Sequence, residues 1–164
     1  MDRALFHFIN RMSGTVSLID AIMIFFSNKI RYFAIVIAFF VWASRRFEKE
    51  SLLRLSIPVI IAVIGDVMMR LVIYKPRPFI KRKVGILIPS KMNSSFPSKH
   101  TLLMFALSSS VYSVHKVLGT VMMIFASMTG VSRVWLGHHY PSDVFGSAII
   151  GVVINQIYEK VNRL

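Results

Sequence analysis

The sequence has no cysteine, and acids are scarce in it: seven Asp and Glu stand against twenty Lys and Arg. The first absence excludes a disulfide framework, a thiolate zinc site and a cysteine nucleophile. The second leaves a formal net charge of +13, although only 16% of the residues are charged at all. So few charges do not cover a water-soluble surface. With 55% hydrophobic residues and a mean hydropathy of +0.62, the composition is that of a membrane protein. On such a chain the surplus cations suit anionic headgroups, phosphate substrates or a cytoplasmic face, and no nucleic-acid partner is expected. Repeats and low-complexity segments are absent as well, so residues 1–164 read as a single domain.

Uninterrupted apolar runs are also in short supply. A bilayer-spanning helix takes ~20 residues. Of the apolar segments 32–44, 55–74, 101–114, 117–131 and 141–158, only 55–74 reaches that length unaided. The others must borrow polar residues at their ends, which places those residues where helices begin and finish. Segment 16–27 is shorter still and reads as re-entrant or as a stunted first span. The opening MDRALFHFINRM does not read as a secretory leader, because Asp2 sits where cations belong and Arg11 breaks the apolar stretch. Leu5, Phe8, Ile9 and Met12 fall at helical spacing instead, predicting an amphipathic interfacial helix over 1–14. The expected fold is all-α, a polytopic integral membrane helix bundle with five or six membrane helices behind that interfacial one.

Two connections hold most of the chemistry, 75–99 and 132–140. Two spans joined by the tight turn His115-Lys116 lie between them. Two crossings return the chain to the same surface, so the two loops face each other. Orientation is less direct, since the cations of the two surfaces are nearly matched. Removing those suited to phosphate binding leaves the Arg45–Arg54 side cytoplasmic and the motif side extracytoplasmic.

Three constellations stand on that face. In the first, Arg70 ends a helix and Arg77 sits between Pro76 and Pro78, stiff placement for forks that bind phosphate oxygens. Simple snorkelling to headgroups is the alternative. Asp66, four residues before Arg70, is placed to hold it. In the second, Ser98-Lys99-His100 opens an apolar helix, whose N-terminal N–H groups suit phosphate and whose His100 suits proton donation. An ordinary serine cap is the alternative. In the third, SRVWLGHHYPSD, Ser132 and Arg133 end a helix and Pro141 begins the next. His139 and Asp143 are four apart, so the carboxylate can reach the ring and fix its tautomer. A zinc site of His100, His138, His139 and Asp143 is a further reading, weakened because adjacent histidines diverge and no HExxH spacing occurs.

Taken in this order, the residues resemble the type 2 phosphatidic acid phosphatase superfamily. That pattern is K-x-x-x-x-x-x-R-P, then P-S-G-H, then S-R-x-x-x-x-x-H-x-x-x-D. The chain matches it with Arg70 and Arg77-Pro78, with Pro97-Ser98-Lys99-His100, and with Ser132-Arg133, His139 and Asp143. Arg70 replaces the motif lysine and Lys99 the motif glycine. The resemblance implies metal-independent phosphoryl transfer without a cofactor, with the catalytic motifs at 70–143. His139 would be the nucleophile, Asp143 its orienting acid and His100 the proton donor. Arg70, Arg77, Ser98, the Lys99 backbone and Arg133 would hold phosphate oxygens. The phrases YKPRPF, SFPSKHT and GHHYPSD look like the bacitracin-resistance branch, which implies an undecaprenyl-diphosphate phosphatase of the bacterial plasma membrane. The extra cations Lys75, Lys81, Arg82, Lys83 and Lys91 suit a diphosphate, with Lys75 counted among the substrate ligands. His138, which has neither spacing relation, is expected to pack or to meet headgroups. A phosphatidate or phosphatidylglycerophosphate phosphatase and a non-catalytic lipid-phosphate binder are the competing readings.

Overall fold

The computed structural model describes residues 2–81, 87–89 and 93–163. Arg82, Lys83 and Lys91, with the side chain of Lys81, lie outside the described residues, so Lys75 alone represents the expected cation cluster. Among the described residues all regular structure is helical: α1 (Asp2–Asn10), α2 (Ser17–Asn28), α3 (Ile30–Ser44), α4 (Lys49–Val72), α5 (Pro78–Lys81), α6 (Lys99–Val114), α7 (Lys116–Trp135) and α8 (Pro141–Val161).

Three of these, α4, α7 and α8, are long and apolar enough to cross a bilayer. Helices α2 and α3 together make a fourth candidate, bent by 48°. The stunted segment over 16–27 is α2, the first arm of this bent pair, a geometry that fits a broken span or a re-entrant loop. With 16 residues, α6 is shorter than the hydrocarbon thickness at 1.5 Å per residue. It is instead the central helix, packing against α3, α4, α7 and α8. A central helix meets protein more than lipid, and its composition follows: Ser108, Ser109 and Ser110 are buried. Asn155 of α8 answers them, its Nδ2 donating to the Ser109 carbonyl at 3.1 Å and to Ser113 Oγ at 3.0 Å. Glycine permits the close approach. A Cβ on Gly151 would lie 2.7 Å from the Leu102 carbonyl oxygen, and one on Gly119 would collide with the Tyr112 backbone.

Helix boundaries depart from the apolar runs where charges find partners. Helix α4 begins at Lys49, ahead of the apolar stretch, because Arg54 bridges Glu50 at 2.7 Å and Glu159 of α8 at 3.3 Å. Helix α1 is amphipathic as predicted, with Phe6 buried and Leu5 and Phe8 exposed. It also makes polar contacts with distant parts of the chain. Asp2 accepts from the Ser142 N–H at 2.9 Å and its Oγ at 2.6 Å, and Asn10 Nδ2 donates to the Trp135 carbonyl at 2.8 Å. Asp20 of α2 accepts from Trp135 Nε1 at 2.8 Å. The N-terminal helices thereby fasten both ends of the 136–140 loop.

Candidate active site

The two loops predicted to share a surface do meet. A cavity of about 450 Å³ is lined by Arg70 and Asp66 of α4, Arg77, Ile88 and Asn93 of the intervening segment, Lys99 and His100 of α6, and Arg133 and His138. Ser98, expected as a phosphate ligand, is fully buried and absent from this lining. It serves as the N-cap residue of α6, its N–H donating to Ser147 Oγ at 2.8 Å and its hydroxyl paired with Thr101 at 3.0 Å.

The cations differ in how they are held. Arg70 donates Nε to Asp66 at 2.9 Å, the expected i,i+4 pair, and its two Nη atoms to the Ser94 and Pro97 carbonyls at 2.7 and 2.5 Å. It clamps the loop ahead of α6 to the end of α4. Arg77, 5% exposed, donates to the Asn93 carbonyl and side chain, and burial beside Arg70 pushes its guanidinium down to about 10. Arg133 is as deeply buried. Its Nη1 donates to Ser27 Oγ at 2.7 Å, while its Nε meets no protein acceptor. Among the described residues no carboxylate pairs with it.

His139 is 1% exposed and does not line the cavity. Its Nδ1 lies 2.6 Å from the Ser95 carbonyl oxygen. A carbonyl only accepts, so the proton sits on Nδ1 and the Nε2 lone pair is available. Burial, then Arg133 and Arg77, hold the ring well below its usual 6.5 and therefore neutral.

Two expectations are corrected by this geometry. Asp143 makes no hydrogen bond to His139. Its Oδ2 accepts from Ser95 Oγ at 2.5 Å and from the Tyr140 N–H at 3.1 Å, and its Oδ1 from Lys75 Nζ at 2.6 Å. As N3 of α8 the carboxylate folds back on its own helix start, which turns it from the ring. The two residues meet only through Ser95, whose hydroxyl the carboxylate holds and whose carbonyl holds the imidazole. Lys75 is the second correction. Its ammonium lies on Asp143 and Ser142 and over the Tyr140 ring, neutralising a buried carboxylate and not lining the cavity.

Ser95 and Asn93 escaped sequence reasoning. They lie in a loop whose register against α8 and Arg77 no local pattern gives. His138 is the third surprise: it is buried and lines the cavity, its Nε2 donating to the Ile88 carbonyl at 2.9 Å. Burial and Arg133 lower it to about 4. The adjacent histidines bond different loop carbonyls, and among the described residues no group of three His, Asp or Glu is placed to hold a metal ion. Two buried guanidinium groups, an exposed lysine and neutral imidazoles form a receptacle for a polyanion and for proton transfer.

A family model described as the PAP2 superfamily matches residues 51–161. Undecaprenyl-diphosphatase BcrC of Bacillus subtilis is 32% identical, the alignment covering 100% of this chain and 86% of that protein. The bacitracin transport permease protein BcrC of Bacillus licheniformis is 29% identical, over 90% and 74% of the two chains. The crystal structure of Aquifex aeolicus LpxE superposes with a TM-score of 0.79 at 25% identity, covering 96% of this chain and 93% of the other. The PAP2-type phosphatidylglycerolphosphate phosphatase of Bacillus subtilis shares the fold, with a TM-score of 0.73 at 17% identity over 98% and 86%.

Proposed function

Since this chain belongs to the PAP2 superfamily and is a membrane lipid phosphatase, we propose that it hydrolyses undecaprenyl diphosphate to undecaprenyl phosphate and inorganic phosphate. The observation that carries the site assignment is Arg133. A guanidinium this deep, with no carboxylate partner among the described residues and an Nε without an acceptor, is costly unless an anion completes it. A phosphoryl group, with Arg77 on its other oxygens, meets that need. The choice of a diphosphate is supported by the relative that aligns with the whole chain and is named for that substrate.

The proposed reaction runs in two displacements. His139 Nε2 bonds to the terminal phosphorus while the bond to the bridging oxygen breaks, its electron pair leaving on that oxygen. His100, having taken up a proton from solvent as the polyanionic substrate binds, gives that proton to the departing group. Water then attacks the phosphohistidine, passing a proton to His100, and the P–N pair returns to Nε2. Arg77 and Arg133 stabilise charge on the equatorial oxygens in both steps. Arg70 is a positioning residue that fixes the loop before α6. The bacterial plasma membrane, with this site facing the extracytoplasmic side, is the proposed location, because setting aside the phosphate-binding cations leaves Arg45, Arg46, Lys49 and Arg54 as the cytoplasmic excess. With α6 counted as a span beside α4, α7 and α8, the proposed number of crossings is five if the bent α2–α3 pair is one span and six if its arms are separate.

The test is phosphate release by detergent-purified protein in EDTA, from undecaprenyl diphosphate, phosphatidate and phosphatidylglycerophosphate in parallel. Preference for the diphosphate supports the reading. Equal rates on all three lipids would remove the substrate assignment, and no release from any would remove the activity.

A further inference from the structure

A second, apolar cavity of about 350 Å³ opens beside the polar one, and Lys99 and His100 line both. Its walls include Ile30, Ile35, Val59, Leu103, Met104 and Leu107, side chains of α3, α4 and α6. At its edge stands Arg31, in the first turn of α3 and twenty residues upstream of where the family match begins. Arg31 is exposed and could reach for bulk headgroups, yet its Nη1 lies 3.0 Å from His100 Nε2. Its Nη2 donates to the Tyr32 hydroxyl, and among the described residues no carboxylate pairs with it.

A guanidinium has only donors, so the His100 nitrogen facing it carries a lone pair and no proton. His100 cannot give a proton from that nitrogen while Arg31 occupies it. Something must draw Arg31 away, and a phosphate offers a guanidinium a stronger partner than a neutral imidazole does. The position also matters. In the two-step reaction the leaving oxygen lies next to His100, so the rest of a phosphorylated leaving group falls within reach of the arginine touching that ring. A terminal phosphoryl group between Arg77 and Arg133 would leave the second phosphate at the junction of the two cavities, with its hydrocarbon tail entering the apolar one.

We infer that Arg31, with the Lys99 ammonium, binds the second, leaving phosphate of a lipid diphosphate and thereby sets diphosphate over monophosphate selectivity. This rests on the diphosphatase reading above and assigns the specificity to a residue outside the family motifs. An alkyl monophosphate departs as an uncharged alcohol and presents nothing for Arg31 to hold. A diphosphate departs as a phosphate monoester anion, which the guanidinium stabilises as charge develops.

The experiment compares farnesyl diphosphate with farnesyl monophosphate, which differ by one phosphate on the same tail, using wild type, Arg31→Gln and Arg31→Lys in the full-length protein in detergent. The diphosphate-to-monophosphate ratio of kcat/KM is expected to fall about 30-fold in Arg31→Gln, and Arg31→Lys to recover part of it. Competitive inhibition by inorganic diphosphate and by orthophosphate gives a second measure, with Arg31→Gln weakening only the former. Equal loss on both substrates, with both inhibitors weakened alike or neither, would show a merely structural arginine and overturn the inference. Wild type inactive on farnesyl diphosphate and on undecaprenyl diphosphate alike would instead sink the proposed function itself.

Discussion

Replacing Asp143 by Asn measures how this carboxylate acts on the nucleophile. The structure routes its influence through Ser95: Asp143 Oδ2 accepts from Ser95 Oγ at 2.5 Å, and the Ser95 carbonyl accepts from His139 Nδ1 at 2.6 Å. The carbonyl keeps the proton on Nδ1 whatever residue 143 is. The Asp143→Asn substitution therefore leaves the tautomer intact and loses one charge-assisted hydrogen bond within the relay, a loss of about 1.5–3 kcal/mol. At 1.36 kcal/mol per decade that is roughly a 10- to 160-fold fall in kcat/KM. A carboxylate bonded directly to the imidazole behaves differently, since amide replacement then favours the wrong tautomer and costs on the order of 10⁴-fold. The assay is initial-rate phosphate release in micelles, with Ser95→Ala and the double variant completing a cycle. The relay predicts that the two single losses do not add. A loss near 10⁴-fold in Asp143→Asn, together with an unimpaired and additive Ser95→Ala, would refute the indirect role.

Further outcomes follow from the same geometry. His138→Ala should retain more than a tenth of wild-type turnover while His139→Ala retains none, measured side by side on one lipid. Both histidines are held neutral below 6.5, His138 down to about 4. The unfolded chain therefore binds protons that the folded chain does not, and stability should fall as pH drops from 6.5 toward 4. A melting temperature in detergent that stays flat over that window would contradict it. Gly151→Ala drives a Cβ to 2.7 Å from the Leu102 carbonyl oxygen and should cost about 1–3 kcal/mol, read as a lowered melting temperature. Turnover should survive EDTA, checked against added zinc.

What the sequence disclosed was whatever local periodicity and spacing encode. The apolar segments located six of the helices, the Asp66–Arg70 pair lay at i,i+4, and the two helices between the motif loops return the chain so that Arg77, His100 and Arg133 share one cavity. Helix ends were less legible, because Arg54 could carry α4 outward only once Glu159 of another helix met it. The supports of the site were hidden altogether. Ser95 reaches Asp143 across 48 positions, Asp2 reaches Ser142 across 140, and Arg31 reaches His100 across 69. Lys75 shows why charge alone misleads: its sequence context suits phosphate, yet a buried carboxylate lies 2.6 Å away and claims it. SRVWLGHHYPSD separates its two histidines by spacing, but only folding reveals that each bonds a different carbonyl of the facing loop.

The most direct measurement is to trap the covalent intermediate. Protein turning over a diphosphate labelled in its terminal phosphate is quenched within one turnover, digested under alkaline conditions and mapped by mass spectrometry. Acid-labile, alkali-stable phosphate is expected on His139 Nε2, absent from His139→Ala and accumulating in His100→Ala, where water lacks its base. Phosphate on His138, or label that never reaches the protein while turnover proceeds, would contradict His139 as the nucleophile.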